Sequence, residues 1–417
     1  MIKNNIENFA KKQIRSYDTI LVDLHMHTNV PGSDGDNSPE KLIGKIEKCR
    51  KAKIKEITKA ILAELKTHDK MDFKIVEKVV ENEVFVVISI QDHNTMGAYY
   101  RLKDSDIPEY MKIIPGCEVE INVPEFPGLV MDITTYNLDK DKFANTPTGK
   151  KLKKIVRKKP AEEKKAFNQL YQALIKDGIT PTCKLKKMYE ESSYNYSKLK
   201  IRANDVIIDE VIQNSSNVEI LNNKKLGFDI KKARNTWYRR FCCNPKARGY
   251  FIDQTIGRPT LEELARDVKD SGGFAILAHP TAYPFEVFKT SYSKVADMLL
   301  DKNCLAGLEL VYRSLISGEL AKTTTAEKII RTLYKKCKER DLIYTLSSDF
   351  HKDKPGQQKL FHVIDDKFPI SYRYIHPIMF NNCDRAVEII KNKVKVKPLT
   401  PEIKNISTHR DFISKLK

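Results

Sequence analysis

The chain has no CxxC pair among its eight cysteines (Cys49, Cys117, Cys183, Cys242, Cys243, Cys304, Cys337 and Cys383), which argues against a zinc ribbon or a thioredoxin-like redox site. The vicinal pair Cys242 and Cys243 reads as two ordinary thiols in a reducing compartment. Also missing is any run of about 18 apolar residues, so no membrane-spanning helix is expected. The opening stretch, MIKNNIENFAKKQIRSYD, lacks the apolar segment of a secretory leader. A soluble, cytoplasmic protein is therefore the expectation. There is no internal repeat and only one tryptophan, Trp237.

What is present is a real core and a large positive charge. Hydrophobic residues make up 41% of the 417, enough to exclude wholesale disorder. The formal net charge is +19, which favours anionic partners such as phosphate esters, nucleotides or nucleic acid. The charge is unevenly placed. Between Lys150 and Tyr250 there are 25 Lys and Arg against 10 Asp and Glu, a net of +15.

Seven short segments rich in β-branched residues read as buried strands: Thr19–His27, Val84–His93, Lys112–Ile121, Gly128–Tyr136, Phe274–His279, Leu305–Tyr312 and Leu342–His351. Helical stretches separate several of them. One covers Leu261–Ser271, where Thr260 can cap the helix and Glu263 can complete a capping box. Another covers Thr325–Arg340. Strands alternating with helices predict an α/β fold on a parallel sheet, open or closed as a barrel. Two intervals interrupt the alternation. Residues 49–83 hold a Lys-rich helical insert, with Ile54, Ile57, Ile61, Leu62 and Leu65 at helical spacing. Residues 140–250 form a larger, basic, mainly helical insertion. The expected organisation is a first barrel part at 1–139, the insertion at 140–250, a second barrel part at 251–365 and a C-terminal extension at 366–417.

Five of the nine histidines, His25, His27, His93, His279 and His351, sit at ends of these expected strands. In Asp23-Leu-His25-Met-His27 the strand period places both imidazoles on one face and Leu24 and Met26 on the other. Asp349-Phe-His351 repeats the pattern with a carboxylate. Glu118 lies within an apolar segment, where a carboxylate is costly unless it is paired or holds a cation. Any one such histidine, taken alone, reads more readily as a hydrogen-bonded residue than as a metal ligand. Several imidazoles and carboxylates at one end of one sheet read as a metal site. Mixed His, Asp and Glu donors without Cys suit Zn, Mn or Fe and fit Ca poorly.

The ordered motifs DLHMHT with SDG, QDHN, PGCEVE, AHP and SSDFH resemble the signature of the PHP (polymerase and histidinol phosphatase) superfamily. The likeness covers residues 19–136 and 260–355, and it implies a distorted seven-stranded α/β barrel. It is nearest to the stand-alone branch with a helical insertion before AHP, whose members are nucleotide phosphatases and 5′-to-3′ exonucleases. The resemblance implies two or three divalent ions, Mn, Zn, Fe or Mg. His25, His27, Glu118 and Asp349 would hold one, and Glu118 would bridge to a second with His279. Asp34, His93 and His351 would hold a third. Asp132 stands where the family offers a further His to the second ion. Asp34 lies two residues farther from His27 than is usual, and Gln91 replaces the usual Thr. The attacking group would be a metal-activated water, with no protein nucleophile.

In the insertion, the family's Arg-Pro-His element is matched at Ile201-Arg202-Ala203-Asn204 by Arg202 alone, a candidate phosphate clamp. Tyr189, Tyr194, Tyr196, Trp237 and Tyr238 interleave with basic residues. They read either as base-stacking groups or, for Trp237 and Tyr238, as the insertion's own core. Three functions compete: a nuclease on nucleic-acid ends, a small-molecule phosphatase on nucleotides or histidinol phosphate, and a non-catalytic nucleic-acid-binding scaffold. An intact ligand set disfavours the last.

Overall fold

The computed structural model describes residues 2–17, 19–66, 69–181, 203–311 and 323–351. Arg202, Tyr189, Tyr194, Tyr196 and the 366–417 extension lie outside these residues. Among the described residues there are eight strands: β1 Ile20–Met26, β2 Phe85–Ile90, β3 Met111–Ile113, β4 Glu118–Asn122, β5 Val130–Tyr136, β6 Phe274–Leu277, β7 Gly307–Val311 and β8 Ile343–Leu346. They form two sheets, in the orders β1-β2-β3 and β4-β5-β6-β7-β8.

Two expectations change here. The first concerns strand direction. β1, β2 and β3 are parallel to one another, as are β6, β7 and β8, but β5 runs antiparallel to both β4 and β6. The 123–129 connection from β4 to β5 is too short for a parallel crossover, so the two strands form a hairpin. The second concerns the ring of seven. The single expected segment Lys112–Ile121 breaks at Pro115-Gly116 into β3 and β4, which belong to different sheets. Proline has no N–H to give a ladder. Gly116 backs so closely on β5 that a Cβ there would lie 1.8 Å from the Thr135 carbonyl oxygen. Among the described residues the backbone bridges outside the two sheets' own ladders are isolated ones, Met26 with Phe350 and His93 with Glu118. No closed ladder of seven strands is formed among the described residues. Gln91 adds a side-chain link between the two sheets. Its amide donates to Ser89 Oγ (2.6 Å) and the Thr135 carbonyl (2.9 Å) and accepts from the Thr135 N–H (3.3 Å).

The strands are buried on both faces. Val86, Val87, Ile88, Ile133, Ile276, Leu308 and Leu310 sit in one continuous apolar core, each contributing roughly 1.5–3 kcal/mol by burial. Helices cover this core. Leu261–Asp270 begins with the expected capping box: Glu263 N–H donates to Thr260 Oγ1 (3.3 Å) and Thr260 N–H to Glu263 Oε2 (3.0 Å).

The Lys-rich segment forms parts of two helices, Pro39–Leu65 and Lys70–Glu81. Ile54, Ile57 and Ile61 do share a buried face. They pack with Val76 and Val80 and with Ala10 and Ile14 near the N-terminus, in a separate small core. Helix Pro147–Lys176 spans two cores. Its Leu152 and Ile155 belong to the main one, and its Phe167, Leu170 and Leu174 belong to a second. Trp237 lies in that second core, fully buried, stacked on Phe241 at 5.2 Å and edge-on to Tyr250 at 5.5 Å. This settles Trp237 as a core residue, and Tyr238 packs partly buried against the same cluster.

Candidate metal centre

The ends of β1, β2, β4, β5, β6 and β8 converge. On β1 the two-residue period sends Leu24 and Met26 into the core and turns His25 and His27 the other way, ring centroids 5.0 Å apart. Asp34 is held near them by two backbone bonds. Gly35 N–H donates to the Thr28 carbonyl (3.0 Å), and Asp36 N–H to the His351 carbonyl (2.8 Å). His93 follows β2, Glu118 opens β4 fully buried, and Asp132 lies in β5. His279 follows β6 with φ 23°, and Asp349 follows β8 with φ 51°.

Asp349 and His351 were expected to share the face of a strand. Instead β8 ends at Leu346, and only Phe350 pairs onward, with Met26. The left-handed turn at Asp349 redirects the chain, so both side chains reach the cluster from a loop. Left-handed backbone at a non-glycine residue is strained, and it persists only where the surroundings impose it.

The distances are short throughout. Glu118 is the hub. Its Oε1 lies 3.4 Å from His25 Nε2 and 2.8 Å from His279 Nε2. Its Oε2 lies 3.5 Å from His27 Nε2 and 3.1 Å from His93 Nδ1. Asp349 Oδ1 lies 3.3 Å from His27 Nε2 and 3.8 Å from His25 Nε2. Asp34 Oδ1 faces His351 Nε2 at 3.1 Å, His93 Nε2 at 3.5 Å and His27 Nδ1 at 4.0 Å. Asp132 Oδ2 is 3.8 Å from His279 Nε2. Thus all nine residues expected to hold metal come together. Their donor atoms form four groups, each within 4.8 Å: His27, Asp34, His93, His351; His25, Glu118, His279; His25, His27, Asp349; and His93, Glu118, Asp132.

The electrostatics follow from burial and crowding. Burial would lower His25, but the Glu118 and Glu309 carboxylates hold it well above the usual histidine range. Burial drives His27 down to about 4, helped by positive charge on His351 and His93. His279 rises to about 10 against its burial, because it bonds Glu118. His351 rises to about 9 against its burial, beside Asp34 and Asp349. Despite burial, His93 and His25 keep Glu118 well below the carboxylate range. Asp132 is pushed up to about 6 by burial and then by Glu118.

Several supporting residues were not singled out from the sequence. Glu309 on β7 is fully buried. Its Oε1 lies 3.1 Å from His25 Nδ1, its Oε2 accepts the His279 N–H at 2.7 Å, and Ser347 Oγ donates to it. The available signal was the lone carboxylate in the apolar run Leu308-Glu309-Leu310, the same feature that marked Glu118. Tyr283 Oη accepts the Asp132 N–H (2.7 Å) and lies 3.2 Å from both Asp132 Oδ2 and His279 Nδ1. Asp92, raised to about 6 by burial, accepts the Thr28 N–H (2.6 Å) and hydroxyl (2.7 Å) and so fixes the turn after His27.

The donor set fits a cation. His25 Nε2, both ring nitrogens of His27, Asp34 Oδ1, His93 Nδ1 and Glu118 Oε2 are buried without a hydrogen-bond partner. Each such group costs about 1–3 kcal/mol when left unsatisfied, and ligation removes that cost. Cys117, beside Glu118, is no rival nucleophile, because burial pushes its thiol to about 12.

No protein-family model matches the chain, and no curated protein matches it. Two solved structures are similar in fold. One, from Bifidobacterium adolescentis, is assigned as a metal-dependent phosphoesterase; it is 15% identical over 83% of this chain and 92% of its own, with a TM-score of 0.46. The other is an amidohydrolase from Chromobacterium violaceum with bound sulfate and no metal; it is 16% identical over 85% of this chain and 95% of its own, with a TM-score of 0.46. Likeness at this level assigns no residue a role.

Proposed function

We propose that this chain is a metal-dependent phosphoesterase that hydrolyses phosphate esters of nucleotides or of nucleic-acid ends. The observation that carries the reading is the cluster itself: five imidazoles and four carboxylates, with buried donor atoms of His25, His27, Asp34, His93 and Glu118 that lack a hydrogen-bond partner. The motif resemblance to the PHP superfamily supports it. We take residues 1–139 and 251–365 as the two parts of the metal-binding unit and 140–250 as an insertion between them.

His25, His27, Glu118 and Asp349 would hold one divalent ion. Glu118 would share a second with His279 and Asp132, and Asp34, His93 and His351 would hold a third. Mn, Zn, Fe or Mg suits such donors. Bound ions supply Lewis acidity, which makes water a competent nucleophile at neutral pH and neutralises charge on phosphoryl oxygens.

The chain's own residues do the positioning. Glu309 receives His25 Nδ1–H, which leaves Nε2 as the donor facing the cluster. It also anchors the His279 backbone. Tyr283 fixes the Asp132 main chain and sits against the far nitrogen of His279. Arg202, in the insertion, would grip the substrate phosphate as a bidentate donor.

The test is a manganese-supplemented assay with His27→Ala in parallel. The substrates are a 5′-phosphorylated oligoribonucleotide, adenosine 3′,5′-bisphosphate and an aryl phosphate. Phosphate release or stepwise shortening in the parent, absent in His27→Ala, is expected. Equal turnover in both proteins would refute the reading.

A further inference from the structure

The Pro147–Lys176 helix, the 251–258 segment and β4 line a cleft of about 320 Å3 that the metal cluster does not use. Its size is that of a small-molecule site. Ile155 and Ala166 from the helix and Phe251 and Ile256 from the segment give it apolar walls. Ile256 is 65% exposed, so a large apolar side chain stands uncovered there.

Several contacts join this cleft to the cluster. Glu120, which lines it, is two residues from Glu118 on β4, so the two carboxylates share one face of the strand. Across the hairpin Glu120 is in register with Asp132. Asn94, next to His93, donates its amide to Glu120 Oε2 (2.8 Å) and accepts the Glu120 N–H (3.1 Å). Lys159, also in the lining, donates from Nζ to the Gly32 carbonyl at 3.0 Å, two residues before Asp34. The cleft is therefore fastened to the segments that carry Asp34, His93, Glu118 and Asp132.

The charge of the cleft runs against that of the chain. Arg258 bonds Glu120 Oε2 through Nη2 (2.8 Å) and Nε (3.2 Å). Burial opposes its charge, but Glu120 and then Glu162 hold the guanidinium above its usual range. Glu163, Asp253 and Lys165 complete the charged lining. Among the described residues that makes four carboxylates against three cations, a net of −1 in a chain of net +19.

We propose that this cleft holds the leaving group of the phosphoesterase and selects one that is uncharged, nucleoside-sized and apolar on one side, so that the substrate carries a single phosphate. This rests on the phosphoesterase reading and narrows it. The ester phosphate goes to the cluster. A second phosphate on the leaving group would lie among carboxylates, beside an Arg258 already matched by Glu120, and uncompensated like charges oppose binding. Selection of this kind works by penalising the wrong ligand. Hydrolysis breaks the ester P–O bond, a water oxygen replaces it on phosphorus, and the leaving oxygen departs through the cleft as an alcohol carrying a proton of that water.

The experiment compares the parent with Ala166→Trp, which fills the cleft, and Glu162→Lys, which reverses one exposed charge in its lining, with circular dichroism confirming the fold. Binding of adenosine and of adenosine 3′,5′-bisphosphate is followed by isothermal titration in EDTA. Hydrolysis of adenosine 3′-monophosphate, adenosine 5′-monophosphate and the bisphosphate is measured separately with manganese. Adenosine is expected to bind the parent and not Ala166→Trp. The better monophosphate should exceed the bisphosphate in kcat/KM by about 10-fold or more, and Glu162→Lys should tighten the bisphosphate by about 3- to 10-fold relative to adenosine. Absence of adenosine binding, or equal binding by Ala166→Trp, overturns the cleft as the leaving-group site. A bisphosphate that is hydrolysed as well as the monophosphates, or that gains nothing from Glu162→Lys, overturns the selection. Adenosine binding that Ala166→Trp removes, with a bisphosphate response to Glu162→Lys but no hydrolysis of any ester, would leave the cleft standing and refute the phosphoesterase reading instead.

Discussion

Glu309 Oε1 lies 3.1 Å from His25 Nδ1, and both side chains are fully buried. A carboxylate behind an imidazole fixes which nitrogen carries the proton and which is free to ligate. Here it leaves His25 Nε2 facing Glu118 and Asp349. Glu309→Gln is expected to lower manganese affinity by about 10- to 100-fold, with phosphoesterase turnover falling alongside. Isothermal titration of the metal-free protein checks it. Unchanged affinity in a folded variant would show that Glu309 is only a structural partner of Ser347.

Metal loading should release protons. With His279 held near 10 and His351 near 9 by their carboxylate neighbours, both carry a proton at pH 7 before a cation arrives. Ligation requires neutral imidazole, so each is displaced and apparent affinity rises with pH. Calorimetry in two buffers of different ionisation enthalpy reads the protons directly. Identical heats in both buffers would contradict the assignment. At about 1,000 times the dissociation constant, the ion should also stabilise the fold by about 4 kcal/mol, seen as a rise in Tm.

Glu120 is two residues from Glu118 and is gripped by Arg258 at 2.8 and 3.2 Å and by Asn94 at 2.8 Å. Burial would raise its carboxyl, but Arg258 and then Lys159 hold it at about 2, against an ordinary 4.5. A depressed folded value stabilises above the unfolded one, so this contribution is complete above pH 4.5 and is lost as the pH falls toward 2. Glu120→Gln should cost about 2–3 kcal/mol at pH 7, allowing for partial screening, and flatten the acid limb of the stability curve. Urea unfolding at pH 7, 4.5 and 3 measures both. A parallel downward shift at every pH would mean that lost packing, not charge, explains the cost.

Trp237 is the chain's single tryptophan and is fully buried. Its fluorescence should be blue-shifted, shielded from acrylamide and unaffected by added oligonucleotide. Quenching by nucleic acid would mean that the ring is reached after all. Trp237→Ala should cost about 3–5 kcal/mol through the cavity left against Phe241 and Tyr250.

Much of the centre was legible in the chain alone. The alternation in Asp23-Leu-His25-Met-His27 determined which imidazoles face together, because a strand has a fixed period of two. The capping box at Thr260 and Glu263 was equally local, since its partners lie three residues apart. The lone carboxylate Glu118 in an apolar run marked a group that burial would not tolerate without a partner.

Tertiary structure decided what depends on contacts between distant segments. Strand count changed because Gly116 backs onto Thr135 and the chain must turn there. Strand periodicity could not place Asp349 and His351, because a left-handed turn at Asp349 aims them. Glu309 acquired its role only when β7 brought it behind His25, which is 284 residues away in sequence. The composition of the insertion allowed Trp237 to be a stacking platform or a core, and the choice fell to packing, which buries its ring between Phe241 and Tyr250. Local periodicity is set by backbone geometry and can be read in advance. Which carboxylate meets which imidazole depends on long-range strand order, and only the folded chain supplies it.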